Sequence, residues 1–278
     1  MSSSGFADLH LHTLYSDGTF SPAELVARSQ ELGFQAIAIT DHDSVEALIE
    51  LKTSNIPDLE IIPGIELSAY FDEEEVHILG YFMRFEEIFF TARLKRFCEI
   101  RQSRVVEIIE KLNRLGCSIA LEDVLGISQN HAPGRLHIAR ALQQKKIVSH
   151  TDEAFQRFLG SGKPAYVPKE KISTREAIQL IRSAGGIPVV AHPGFLKSYE
   201  TIVKMAHEGL LGIEVHHSKH SPSDVRHLTD IARKENLIIT GGSDCHGLAK
   251  GKVLLGSIKL PYEHVERMKE LCIKVNAA

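Results

Sequence analysis

The chain has 278 residues, 43% of them hydrophobic and 24% charged, enough apolar material for a sizeable core in one α/β unit. A net charge of −4 argues against a broad nucleic-acid-binding surface, which needs a basic excess, so duplex nucleic acid is not an expected partner, while leaving room for a local basic pocket for a phosphorylated ligand. No apolar run approaches the ~18 residues needed to cross a bilayer, and Met1 to Gly5 lack the features of a secretory signal, so no membrane partner and a cytoplasmic location are expected.

Short apolar runs alternate with helical periods, the pattern of repeated βα units. Phe6–Leu11 reads as a first strand that runs into histidines. Ser21, Pro22 and Glu24 then open a helix with a cap, a first-turn proline and a capping box, and Gly33 is placed to end it. Residues 36–40 form a continuous apolar run suited to a buried parallel strand, followed by strands over 59–63 and 76–82. From about residue 86 to 160 strands are scarce. Helices over 100–115, 134–145 and 152–159 predict a helical insert, giving a barrel of residues 1–95 and 163–278 around an insert of 96–162. The rhythm then resumes with a helix over 173–184, strands over 187–191, 213–216 and 237–240, and a helix over 222–235.

The four cysteines, Cys98, Cys117, Cys245 and Cys272, are scattered without a C-x-x-C pair, which suggests neither a disulfide framework nor a thiolate metal site. The fifteen histidines are more telling, because nearly every predicted strand carries a metal-binding type of side chain at or near its end. His10 and His12 end the first strand, with Asp17 in the loop after it. His42 follows the second strand, Glu66 follows the third, and His77 lies in the fourth. His192 ends a later strand, and Asp244 and His246 follow the last. Carboxyl ends of parallel barrel strands converge on one face, so residues distant in sequence would meet there. Spacing of i and i+2 lets His10 and His12 look into the same mouth, as it does Asp244 and His246, and turns Cys245 away. A lone buried histidine is more often a satisfied core residue, but nine such side chains at strand ends are hard to explain as packing. Imidazole and carboxylate without thiolate suit Mn, Fe or Zn, and at about three protein ligands per ion two or three divalent ions are implied.

The motifs Asp8-Leu9-His10-Leu11-His12, Ser16-Asp17-Gly18, Thr40-Asp41-His42-Asp43, Pro63-Gly64-Ile65-Glu66, His77, Ala191-His192-Pro193 and Gly242-Ser243-Asp244-Cys245-His246 resemble those of the PHP (polymerase and histidinol phosphatase) family, in the family's order. The resemblance implies a distorted seven-stranded (β/α)7 TIM-like barrel with a trinuclear metal centre. It assigns His10, His12, Glu66 and Asp244 to one ion, Glu66, His77 and His192 to a second, and Asp17, His42 and His246 to a third. Within the insert, Pro133-Gly134-Arg135-Leu136-His137-Ile138-Ala139-Arg140 and Gly162-Lys163-Pro164-Ala165-Tyr166-Val167-Pro168 look like the branch that hydrolyses nucleoside 3′,5′-bisphosphates and short RNA from the 5′ end.

On that reading Arg135 and His137 hold a second phosphate, since a guanidinium fork matches phosphate oxygens; the plainer reading is that Arg135 and Arg140 cap or solvate a helix. Lys163 and Tyr166 either line the substrate cleft or join insert to barrel. Among His216, His217, Lys219 and His220, His217 is a candidate proton donor to the leaving oxygen, with a metal-bound water as an equal alternative, and at least two of the group are expected at the surface. His131, His150, His207, His227 and His264 are assigned no role. The expected substrate is a small phosphorylated nucleotide or short RNA. The competing readings are a histidinol-phosphate phosphatase, a proofreading nuclease module, for which the chain has no polymerase region, and a metal-binding regulatory protein without turnover.

Overall fold

The computed structural model describes residues 5–127, 133–168 and 172–277. Strand β1 (Phe6–Leu11) is followed by α1 (Pro22–Glu31), whose N-terminus carries the Ser21–Glu24 capping box and Pro22 as the sequence predicts. Next come β2 (Ala36–Ile39), a short α2 (Glu46–Leu51), β3 (Glu60–Phe71) and β4 (Glu74–Tyr81). The helical part comprises α3 (Ile88–Arg114), α4 (Leu121–Ile127), α5 (Arg135–Gln144) and α6 (Thr151–Ala154), the last continuing into a π-helical turn, Phe155–Leu159. The chain returns through α7 (Thr174–Ser183), β5 (Ile187–Val190), α8 (Glu200–His207), β6 (Gly212–His217), α9 (Pro222–Lys234), β7 (Ile238–Gly242), β8 (Leu260–Pro261) and α10 (Glu263–Ala277).

All eight strands form one sheet in the order β7-β6-β5-β4-β3-β2-β1-β8. The sheet curls until its ends meet: Leu11 pairs with Cys245 beyond β7, and His12 N–H donates to the Cys245 carbonyl at 3.0 Å. The fold is thus a distorted α/β barrel of seven strands, with two-residue β8 as an antiparallel flap on β1. It is not all parallel, as the strand-end argument assumed. β3 runs eight residues past its expected end and turns back as a hairpin, so β4 lies antiparallel to both β3 and β5. The beginning of β4 therefore lies where other strands end, and His77, in its first half, pairs with Ser68 beside the mouth.

Three apolar clusters organise the described residues, one of them joining Leu9, Ile62, Leu79 and Val189 of the strands to Val265 and Met268 of α10. The larger barrel cluster includes Leu25, Ile37, Ile65, Ile78, Ile178 and Ile213, and it takes Phe90 and Leu94 from the first half of α3. A second cluster joins Val105, Ile108 and Leu112 of the same helix to Val124, Ile138, Leu142, Leu159 and Val167. At 27 residues α3 starts twelve residues before its expected beginning and runs through position 96, so it is a strut rooted in both cores. Cys245 is buried in the barrel cluster, turned from the mouth.

Gly242 marks the tightest crossing of the closure. A Cβ there would collide with the backbone N and Cβ of His10. Gly242→Ala must spread β7 from β1 and is expected to cost about 1–3 kcal/mol, the range for overpacking a core. Thermal unfolding checks this, and an unchanged Tm would count against such close packing.

A histidine and carboxylate centre at the barrel mouth

Glu66, mid-way along β3 and 1% exposed, is the hub of the site. Its Oε2 lies 3.3 Å from His10 Nε2, 3.2 Å from His12 Nε2 and 3.3 Å from His42 Nδ1. Its Oε1 lies 2.8 Å from His77 Nδ1 and 3.1 Å from His192 Nε2. Asp244 Oδ1 joins at 3.6 Å from His10 Nε2 and 3.3 Å from His12 Nε2. Asp17 Oδ1 stands 3.2 Å from His246 Nε2 and 3.8 Å from His12 Nδ1. All nine expected side chains thus lie in one contiguous cluster. Ligand-type atoms of seven of them, all but His192 and Asp244, gather in three overlapping groups, His10–His12–Glu66, His42–Glu66–His77 and His12–Asp17–His42–His246, each within 4.8 Å. The grouping differs in detail from the resemblance, since His12 and His42 each fall in two groups.

Local backbone geometry aims these groups. Asp43, His192 and Asp244 adopt left-handed φ values of 54°, 32° and 54°, which cost a non-glycine residue on the order of 1–3 kcal/mol each and concentrate at functional sites. Asp41 fixes the loop that carries Asp17, accepting from Thr13 N at 2.7 Å, Thr13 Oγ1 at 2.6 Å and Ser16 Oγ at 2.5 Å.

The donor chemistry calls for a cation. His246 Nδ1 lies 2.9 Å from the Asp244 carbonyl, which fixes the ring proton there and points the Nε2 lone pair at Asp17 Oδ1. Two acceptors face each other at 3.2 Å, and both are buried without a hydrogen-bond partner. His10 is oriented likewise: Nδ1 lies 2.9 Å from Glu214 Oε1, leaving Nε2 as a lone pair toward Glu66 and Asp244. His42 Nδ1 is also buried and unpartnered. Buried acceptors facing acceptors are costly unless a positive charge stands between them, so these residues fit divalent ions. Burial, the largest influence, pushes the His42 pKa down to about 3 and also lowers that of His192, keeping both neutral as ligands must be.

The sequence reading missed several groups. Glu214 is completely buried, orients His10, and accepts from His192 N–H at 2.6 Å. A register shift between Glu214 and His216 in β6 explains why. Strict alternation would put Glu214 and His216 on one face, but the irregularity brings His217 inward, 3.7 Å from Asp244 Oδ2, while His216 packs edge-on to His264 outside. His217 Nδ1 accepts from Lys219 N–H at 3.3 Å, so Nε2 carries the proton that faces Asp244. His220 is tied to backbone at Val215 and Gly194.

Beside the centre lies a cavity of about 180 Å³ lined by His42, Ser68 and His77 from the barrel and by Arg101, Arg104 and Arg135 from the helical part. Arg101 forms an ion pair with Asp43, and Arg104 Nε donates to the Val167 carbonyl at 2.9 Å. Arg135 leans over Tyr166 and Phe155. Burial and then the nearby Arg135 charge lower the Arg104 pKa, a mark of crowded guanidiniums. Arg101 and Arg104 carried no motif and were not foreseen. His137 is buried, with Nδ1 accepting from Gly134 N–H at 3.1 Å, and burial lowers its pKa to about 4. The charge of Asp17 acts on both His137 and Arg140, and Arg140 Nη2 is buried without a partner. Lys163 lies on an exposed turn and does not line the cavity. His131 lies outside the described residues.

A barrel mouth with this donor set defines a metal-dependent hydrolase centre. Residues 8–95 match the PHP domain. A 5′-3′ exoribonuclease of Escherichia coli K12 is 33% identical over 250 residues, covering 86% of this chain and 84% of that protein. A 3′,5′-nucleoside bisphosphate phosphatase of Chromobacterium violaceum is 30% identical over 275 residues, covering 95% and 93%. A solved structure from Bifidobacterium adolescentis, described as a candidate metal-dependent phosphoesterase, superposes with a TM-score of 0.86 at 30% identity over 96% of each chain. The chain belongs to the PHP family and is a metal-dependent phosphoric ester hydrolase. Among the described residues no helix is long and apolar enough to cross a membrane.

Proposed function

We propose that this enzyme hydrolyses phosphate esters of small nucleotides, chiefly nucleoside 3′,5′-bisphosphates and short 5′-phosphorylated RNA. One observation carries the reading: the cavity that touches His42 and His77 is walled opposite by three arginines, so an ester at the centre leaves a second phosphate facing guanidiniums. The relatives from E. coli and C. violaceum are named as a 5′-3′ exoribonuclease and a 3′,5′-nucleoside bisphosphate phosphatase, which supports this reading. A histidinol phosphate, with one phosphate, leaves Arg104 and Arg135 without a second phosphate to bind, whereas Arg101 is paired with Asp43 in any case.

In this scheme His10, His12, Asp17, His42, Glu66, His77, His192, Asp244 and His246 hold two or three divalent ions, with Mn, Fe and Zn all suited to the donors. Such ions, when bound, polarise phosphoryl oxygens and acidify water. Glu214 and Asp41 keep the donors aligned. Arg104 and Arg135 bind the distal phosphate, while His137 and Arg140, on the Asp17 side, face the ester's own oxygens. His217 holds a proton on Nε2 beside Asp244 and donates a hydrogen bond from it to the departing oxygen, whose own proton comes from water. Residues 96–162 act as the substrate-facing part and 1–95 with 163–278 as the barrel that carries the centre, with α3 bracing both.

Steady-state assays with Mn²⁺ test the reading on adenosine 3′,5′-bisphosphate, a 5′-phosphorylated RNA dinucleotide and histidinol phosphate. Arg135→Ala and Arg104→Ala are expected to raise KM for the bisphosphate about 10- to 100-fold, the loss of charged hydrogen bonds, with little change for a monophosphate. Turnover of histidinol phosphate alone, indifferent to both substitutions, would overturn the substrate assignment and leave the metal centre standing.

A further inference from the structure

Adjoining the arginine-walled cavity lies a second hollow of about 200 Å³, lined by Glu75, Val76, His77, His192, Phe195 and Leu196. It shares Glu75 and His77 with the arginine-walled cavity, so the two open onto one centre. Phe195 is 57% exposed and stands beside this polar site. It is also firmly held. Left-handed His192 leads into a single 3₁₀ turn, Pro193–Phe195, and Gly194 N–H donates to His220 Nε2 at 3.1 Å while His220 Nδ1 lies 2.9 Å from the Val215 carbonyl. No side chain larger than hydrogen fits at position 194, because a Cβ would come within 2.6 Å of the His220 ring. The ring thus stands at the rim with its centroid 5.6 Å from that of His192 and 5.9 Å from that of His217.

We propose that Phe195 is a stacking platform for the nucleobase of the substrate, and so a specificity-determining residue. The inference rests on the nucleotide reading above and deepens it. A nucleoside bisphosphate branches at its ribose into two phosphates and a flat, aromatic base, three groups of which the base differs in chemistry from the phosphates. Around the centre the protein offers three matching surfaces: histidines and carboxylates, guanidiniums, and one exposed aromatic ring. Lys219 Nζ, 5.9 Å from the ring centroid, adds positive charge beside the platform and suits an anionic nucleotide rather than a neutral apolar ligand. Every base has a π face, so a single phenylalanine binds bases with little discrimination among them.

The test compares adenosine 3′,5′-bisphosphate with 1-deoxyribose 3,5-bisphosphate, which lacks the base, in wild type, Phe195→Ala and Phe195→Trp. The wild type is expected to favour the base-bearing substrate in kcat/KM. Phe195→Ala is expected to raise KM for that substrate about tenfold, in the range that base stacking supplies. It leaves the baseless substrate unchanged, which shows that centre and fold are intact, and Phe195→Trp restores the preference. Equal effects of Phe195→Ala on both substrates, or none on either, overturn the platform while leaving the nucleotide phosphoesterase reading in place. If the wild type turns over neither bisphosphate while cleaving another phosphate ester, both readings fall together.

Discussion

A Glu66→Gln enzyme is expected to turn over on the order of a thousandth as fast as wild type, or slower, and to lose bound metal. Among the described residues Glu66 is the single carboxylate within 3.3 Å of nitrogens from five histidines, His10, His12, His42, His77 and His192, on four separate segments. Glutamine keeps the shape but removes the charge and turns an NH2 toward lone pairs that need a cation. Loss of a single preorganised electrostatic group costs about 10²- to 10³-fold, and a shared carboxylate serves more than one ion. Metal content measured by elemental analysis alongside kcat checks this. An enzyme that keeps its metal and most of its rate would remove Glu66 from the hub.

The second large effect concerns the metal-free protein. Without divalent ions, protons supply the missing positive charge. Burial pulls the His12 pKa down, but hydrogen bonds to Asp244 and Glu66 more than offset it and carry it up to about 9. Burial likewise opposes His10, yet the charges of Glu214 and Glu66 hold it well above the ordinary value. Histidines raised in this way stabilise the fold fully below their unfolded pKa of about 6.5, and the contribution disappears as pH climbs toward about 9. Glu66, Asp17 and Asp244 are shifted the other way: despite burial, neighbouring histidines hold all three below the carboxylate range. Their contribution is present above about pH 4 and is lost in acid. Burial holds the His42 pKa down at about 3 and the His137 pKa at about 4, so these neutral rings cost stability as pH falls below about 6.5. The Tm of chelated protein is therefore expected to be highest near pH 6.5 and to fall from there to pH 9, with activity abolished throughout. Mn²⁺ is expected to raise Tm more at pH 8.5 than at pH 6, because a divalent ion must displace protons from these rings. A metal-free Tm that is flat or rising between pH 6.5 and 9 would show that protons do not fill the centre.

Much of this centre was legible from the chain, because strand ends are a local property. His10 and His12 follow an apolar run, and Asp244 and His246 follow another, so period-two spacing and barrel topology were enough to predict convergence. The capping box at Ser21 and Glu24 was equally local, a matter of residues three apart. What the chain concealed depends on register and on long-range approach. His216 and His217 are indistinguishable by type, and only the irregular pairing of β6 with β7 decides that His217 faces Asp244. Glu214 reads as one more buried strand residue until His10, 204 positions away, is placed against it.

The sequence by itself determined the class of chemistry: histidine and carboxylate in this order at strand ends define the donors, since ligand type is a property of each side chain. Only the tertiary structure decided the surroundings. The reversal of β4 brings His77 to the mouth from the start of a strand instead of its end. The length of α3 carries Arg101 and Arg104 to the cavity beside His42, although a charged helix face looks the same whether it meets solvent or a substrate. The left-handed turn at His192 lifts Phe195 to the rim, because backbone direction at one residue sets where the next three point.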